Sequence, residues 1–198
     1  MNGTYKKYID NFAVNLLDCK LLGKGHNGIV FLLPDSKVLK ICFSKKSLIG
    51  EYYILKRVKN NKYFPKVYGM CGNYMVRDCV YGICLTKYIK ENGLDRELTV
   101  KIIELLKEFE KLKFMKLDVR CKDIYVQEDK NLKIIDPKKF YSKKRNFPRH
   151  LCKGLYKLKV LDSFMGYVKE EDFDLYKKWN YKVYKYIYEI KEENNILE

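Results

Sequence analysis

A chain of 198 residues, 47% apolar and 33% charged, has material for one compact unit or two small lobes and is too apolar for general disorder. Its net charge of +16 invites a nucleic-acid role, yet only six of the 41 basic residues are arginine. Lys, Asn, Ile and Tyr are abundant together, the mixture an A/T-rich coding sequence writes on tolerant surfaces, so a solvated lysine surface is preferred over a dedicated nucleic-acid face.

In chain order, residues 20 to 90 read as strands with one helix among them. KLLGKG and GIVFLL flank a glycine turn, and SKVLKICF forms the next strand. LIGEYYILKRVKN has helical spacing through Ile49, Tyr53, Leu55 and Val58. PKVYGMCG and NYMVRDCV make a hairpin with Gly72-Asn73 as its turn. From about 95 the character changes: DRELTVKIIELLKEFEKLKF carries Ile102, Ile103, Leu105, Leu106, Phe109 and Leu112 on one wide helical face. An irregular stretch at about 114–122 leads to a short hairpin, IYV, QEDKN, LKII. Two helices are expected at about 149–167 and 172–193. The second bears a stripe of Phe173, Tyr176, Trp179, Val183, Ile187 and Ile190, assigned to core packing. A strand-rich first half and a helix-rich second half give an α+β chain of two lobes, about 1–80 and 85–198, joined near 78–84.

No stretch approaches the ~18 apolar residues of a membrane span. The opening MNGTYKKYIDNF has basic residues but no apolar block after them, against a secretion signal. Seven cysteines, an odd number without a C-x-x-C pair, speak against a disulfide framework and a zinc site; reduced thiols in a cytoplasmic protein are expected.

Two stretches carry chemistry. In GKGHNGIV, Gly23, Gly25 and Gly28 fit G-x-G-x-x-G-x-V, but the chain continues strand, turn, strand instead of opening a helix, and no G-K-[ST] follows. A glycine hairpin of that kind can lay backbone N–H groups over phosphates. On the next strand, alternation puts Val38 and Lys40 on one face and Leu39 and Ile41 on the other. A mid-strand ammonium needs a charge partner, for which Glu51 is the candidate; equally open is a Lys40 that reaches water beside a surface Glu51. In KLDVRCKDIYVQEDKNLKIIDPKKF, Asp123 precedes one hairpin strand and Asp136 follows the other. Antiparallel pairing sets them side by side, with roughly 4.5–5.5 Å between opposed Cα atoms, which demands a cation between them. Oxygen ligands of this kind suit Mg²⁺. Asp118 and Arg120 lead into the same end, the arginine suited to a phosphate. His26 reads as an exposed turn residue and His150 has no identifiable partner.

The order of these parts resembles the protein-kinase-like family: the glycine loop with Val30, the strand lysine in VLKIC, the helix glutamate in GEYYIL, the strand-to-hinge YMVRDCVYG, then D-x-x-x-x-D (Asp118, Asp123) and IIDP (Asp136). The likeness covers about residues 20–140 and is closest to small bacterial serine/threonine-kinase-like members, with a further likeness to the lipopolysaccharide-kinase and RIO-like groups. It implies a minimal kinase-like fold around an ATP cleft. In it the glycine loop covers ATP, Lys40 holds its α/β-phosphates and Glu51 orients Lys40. Val30 and Val38 would sandwich the adenine, and the backbone of Asp78 and Val80 would bind its edge. Asp118 would take the proton of a hydroxyl acceptor, Arg120 would steady the moving phosphoryl group, and Asp123 and Asp136 would hold Mg²⁺.

The sequence departs from the family pattern in several places. Lys116 and Leu117 stand where His-Arg is usual, Asp123 where Asn is, Asp136-Pro137-Lys138 where D-F-G is, and Arg77 where an apolar residue backs the adenine. No A-P-E appears, which implies a reduced C-terminal lobe without a peptide-gripping segment. The expected function is an ATP- and Mg²⁺-dependent phosphotransferase acting on a hydroxyl of a protein serine or threonine, or of a small molecule. The alternative is a pseudokinase-type module that binds nucleotide and a protein partner without turnover; nucleic-acid binding ranks third.

Overall fold

The structure is a computed structural model in which residues 8–9, 12–137 and 139–195 are described. Most of the N-terminal stretch weighed as a secretion signal, and Lys138 of the D-P-K sequence, lie outside them. The chain divides into two compact units, Met1–Cys79 and Val80–Glu198.

In the first unit a two-residue ladder, β1 (Tyr8–Ile9) with β2 (Val14–Asn15), precedes a five-stranded antiparallel sheet. Its strands are β3 (Lys20–Gly25), β4 (Gly28–Leu33), β5 (Lys37–Cys42), β6 (Val67–Cys71) and β7 (Tyr74–Asp78), in the order β3-β4-β5-β7-β6. Strict alternation sorts the two faces. Ile29, Phe31, Leu33, Leu39, Ile41 and Val76 pack with Leu16 on one face, where Phe12, Val14 and Cys19 join them. Val30, Val38, Lys40, Met75 and Arg77 fall on the other; Lys40 pairs across the ladder with Val30 and Met75, and Val38 with Arg77.

That second face receives α1 (Lys45–Arg57), whose Ser44 side chain accepts the Ser47 N–H as an N-cap. The helix buries Leu48, Glu51, Ile54 and Leu55, with Val58 at its cap. The expected stripe through Ile49 and Tyr53 is therefore out of phase: Ile49 is half-buried and Tyr53 exposed. A charged residue, Glu51, sits at the centre of the inward face, which a search for apolar spacing passes over.

In the second unit β8 (Ile83–Cys84), β9 (Ile124–Val126) and β10 (Leu132–Ile134) form a small antiparallel sheet in the order β10-β9-β8. Five helices accompany it: α2 (Leu85–Asn92), α3 (Arg96–Lys111), α4 (Arg149–Lys157), α5 (Leu161–Glu171) and α6 (Phe173–Asn195). Asp95 caps α3 by accepting the Leu98 N–H at 2.7 Å, and Ile102, Ile103, Leu105, Leu106 and Phe109 are all buried. On α6 Trp179, Val183, Ile187 and Ile190 are buried as expected, together with Leu175, whereas Phe173 is exposed.

Two expectations need correction. The stretch to residue 90 holds a second helix, α2, whose start carries no side-chain cap and whose end is marked by Gly93 at φ 78. The single helix expected at 149–167 is two, because Lys159 adopts φ 60 and closes α4. No glycine or proline announces that break; the Val160 N–H instead donates back to the Leu155 carbonyl. No helix among the described residues is long and apolar enough to cross a membrane.

Candidate functional site

The first unit holds the glycine hairpin and the buried lysine. β3 and β4 pair from Lys20↔Leu32 to Gly25↔Gly28, leaving His26 and Asn27 as an exposed tip. The three glycines differ in what holds them. A Cβ on Gly28 would collide with the carbonyl of Ile41, so this position serves the β4–β5 ladder. A Cβ on Gly23 or Gly25 would meet nothing within 4 Å. Among the described residues no neighbour demands glycine at those two positions.

Beneath the hairpin, Lys40 Nζ lies 2.5 Å from Glu51 Oε2, with Lys40 7% and Glu51 1% exposed. Of the two arrangements left open by the sequence, the structure has the buried pair. Val38 is buried beside it in the strand and Val30, opposite Lys40, is half-buried.

At the end of β7 the Asp78 N–H donates to the Lys66 carbonyl at 2.9 Å, and its carbonyl accepts from Arg77 Nη1 at 2.9 Å. The Asp78 backbone thus keeps one carbonyl lone pair for any further partner. Arg77 itself is 5% exposed, and its Nε has no hydrogen-bond partner among the described residues.

The second unit, taken by itself, holds the acidic residues. Val80 opens it, half-buried. The segment before Asp118 is tied to the one after Asp136: the Lys116 N–H donates to the Phe140 carbonyl, the Arg145 N–H to Met115 and the Leu117 N–H to Arg145. Phe114 and Phe140 stack on Phe109 of α3 with ring centroids 4.7–5.3 Å apart, which fixes both segments to the helical core. Burial holds the Lys116 ammonium below its ordinary value, with the Asp118 charge opposing.

The β9–β10 hairpin pairs Ile124 with Ile134, and the Ile135 N–H donates to the Asp123 carbonyl at 3.0 Å, so Asp123 and Asp136 flank its open end. A cation does stand with them. Arg120 donates from Nε and Nη2 to the two oxygens of Asp123, at 2.5 and 3.0 Å, and its Nη2 lies 3.6 Å from Asp136 Oδ2. The sequence predicts the cation; that the chain itself supplies it from Arg120 was not foreseen. No group of three or more His, Cys, Asp or Glu side chains suited to a metal occurs among the described residues. Two carboxylates turned to one positive charge still fit Mg²⁺, which takes one or two such ligands and fills its shell with other oxygens.

Asp118 is turned elsewhere. Fully buried, it accepts the His150 N–H on Oδ1 at 2.8 Å and meets the His150 Nδ1 with Oδ2. His150, read from sequence as lacking a partner, is therefore the residue that engages both Asp118 oxygens. An ionised carboxylate only accepts, so the ring hydrogen belongs on Nδ1 and Nε2 is left with a lone pair, on a side chain 46% exposed. No family model matches the chain, and no curated protein matches its sequence. Of the residues singled out by sequence, the structure joins Lys40 with Glu51, and Arg120 with Asp123 and Asp136. It adds His150 to Asp118 across 32 positions, a separation over which no local pattern could have announced the pair.

Burial pushes the Asp123 carboxyl above its ordinary value, against the Arg120 guanidinium, which pulls it down; the Asp136 charge adds to the rise. The folded chain thus holds this proton to higher pH than the unfolded one. Asp123 favours folding in acid, and that contribution is lost as pH climbs from the unfolded value of about 3.9 through the folded one. Wild-type protein is expected to lose stability relative to Asp123→Asn as pH rises above the unfolded value of about 3.9. Urea melts of the two proteins check this, and a difference that stays flat or reverses would remove burial as the dominant influence.

Proposed function

We propose that the chain is a protein-kinase-like phosphotransferase that uses ATP and Mg²⁺ to phosphorylate a hydroxyl. The observation that carries this reading is the Lys40–Glu51 pair, buried in mid-sheet behind a glycine hairpin. A buried ion pair is a poor stabiliser, since well-packed apolar residues of similar size serve as well or better. An ammonium held by a carboxylate next to open glycines is, however, what triphosphate binding asks of a chain. Gly23 and Gly25, unconstrained by any neighbour, leave backbone that phosphate oxygens can approach. Val30 and Val38 offer apolar contact for the base, and Asp78 and Val80 a backbone edge.

In the second unit Asp123 and Asp136 would hold Mg²⁺, whose part is to neutralise charge on the phosphate oxygens. Arg120, released from one carboxylate, would be available to the transferred group. In the transfer a bond forms from the acceptor oxygen to the γ-phosphorus and the bond to the β-phosphate oxygen breaks, releasing ADP. The hydroxyl proton goes to His150 Nε2, with Asp118 fixing the ring and its tautomer, because Asp118 itself is buried and fully engaged.

The second reading, nucleotide binding without turnover, is favoured by one observation: Arg120 already bridges both candidate metal carboxylates. One experiment separates the two. Purified protein with Mg²⁺ and γ-labelled ATP is expected to transfer label to itself, to an added acceptor or to water. ATP that raises the melting temperature with no label moved under any condition would leave the binding module standing.

A further inference from the structure

A groove of about 600 Å³ in the second unit lies between the segment entering α4 and one side of α6. Lys144, Arg145 and Arg149 line it from the first, Lys182 and Lys185 from the second. On α6 the spacing Tyr181, Lys182, Lys185, Tyr186, Glu189 makes a second helical stripe beside the buried one. The two arginines are held in place. The Arg149 guanidinium sits 4.3 Å from the centre of the Tyr186 ring, which Phe147 meets edge-on, and Arg145 Nη1 donates to the Lys144 carbonyl. Arg145 Nε is buried without a hydrogen-bond partner, and none of the five pairs with a carboxylate among the described residues.

Five cations against one acid, Glu189, leave the lining at +4. Like charges gathered within a Debye length of about 8 Å repel one another and focus a field that draws in anions. Two phosphate monoesters, at about −1.5 to −2 each, match that charge within a volume of the size that small ligands occupy. Arginine forks and lysine point charges are the groups that grip phosphate oxygens, and the aromatic walls suit an organic skeleton between them. We propose that this groove binds a soluble small molecule carrying two phosphate groups. A set of cations confined to residues 144–149 and 182–185 suits such a ligand, whereas a nucleic-acid strand draws on cations set along a longer track. The site belongs to the second unit alone and requires neither ATP nor turnover, so it stands or falls separately from the phosphotransferase reading.

Calorimetric titration of the full chain with fructose 1,6-bisphosphate, and with inorganic pyrophosphate, at about 50 mM salt tests it. Saturable one-to-one binding is expected, weakened about tenfold or more in Lys182→Glu/Lys185→Glu. The control Lys87→Glu/Lys90→Glu, an equal charge change on exposed positions of α2, is expected to stay within about twofold. Acetylation of the unmutated protein gives a measurement independent of folding: the bisphosphate should shield Lys182 and Lys185 and leave Lys87 and Lys90 reactive. Equal weakening in both double variants, equal shielding of both lysine pairs, no saturable binding of either probe, or tighter binding of a single-stranded oligoribonucleotide that shields the same lysines would each overturn the proposal.

Discussion

Glu51→Gln is expected to cost about 3–5 kcal/mol of folding stability, because it leaves the Lys40 ammonium buried beside a neutral amide. Lys40→Met should also destabilise, because the buried Glu51 carboxylate loses the ammonium that faces it. The informative variant is the double one, Lys40→Met/Glu51→Leu. With both charges gone and apolar volume in their place, stability should return to within about 1–2 kcal/mol of wild type or exceed it. Affinity for ATP should nonetheless fall steeply, since no ammonium remains for the phosphates. Denaturant melts read the first effect and the ATP-dependent rise in melting temperature reads the second. A stable double variant that still gains the full rise with ATP would detach the pair from nucleotide binding and leave it a matter of packing.

His150→Gln is expected to lower the rate of phosphoryl transfer by about 10²–10⁴ while the ATP-induced rise in melting temperature persists. Asp118→Asn should be comparably slow for a different reason: an asparagine amide facing Nδ1 can donate, which turns the ring toward the wrong tautomer. Turnover of the His150 variant decides between the two residues. Should His150→Gln retain the wild-type rate, the proton acceptor would have to be sought at Asp118 after a rearrangement that frees its carboxylate.

What the sequence disclosed followed from how local each signal is. The β3–β7 strands were legible because their alternation and turn residues, such as Gly72-Asn73, act within a few positions. That Asp123 and Asp136 flank one end of a hairpin is also a short-range property, but the register is one residue off the expected side-by-side pair: Ile135 bonds Asp123, and Asp136 lies one position beyond. The phase of α1 was missed because its inward face is centred on Glu51, whose burial is decided by a lysine on another element. The interruption at Lys159 was invisible because a lysine took a backbone conformation that sequence reserves for glycine or asparagine. His150 escaped for a third reason: it reaches Asp118 only after the chain has turned through 32 residues. Arg120 was assigned to a phosphate, and in the structure its guanidinium lies with Asp123 and Asp136.

The anchoring of residues 114–117 against 140–145 bears on how this stretch can move. Phe140 is 1% exposed, and three backbone hydrogen bonds tie Met115, Lys116 and Leu117 to Phe140 and Arg145. Amide exchange at Lys116, Leu117 and Arg145 should accordingly be slow, and equally slow with nucleotide added. Loosening this stretch would mean breaking those three bonds and exposing Phe140, so its motion is tied to the opening of the helical core on which it is packed.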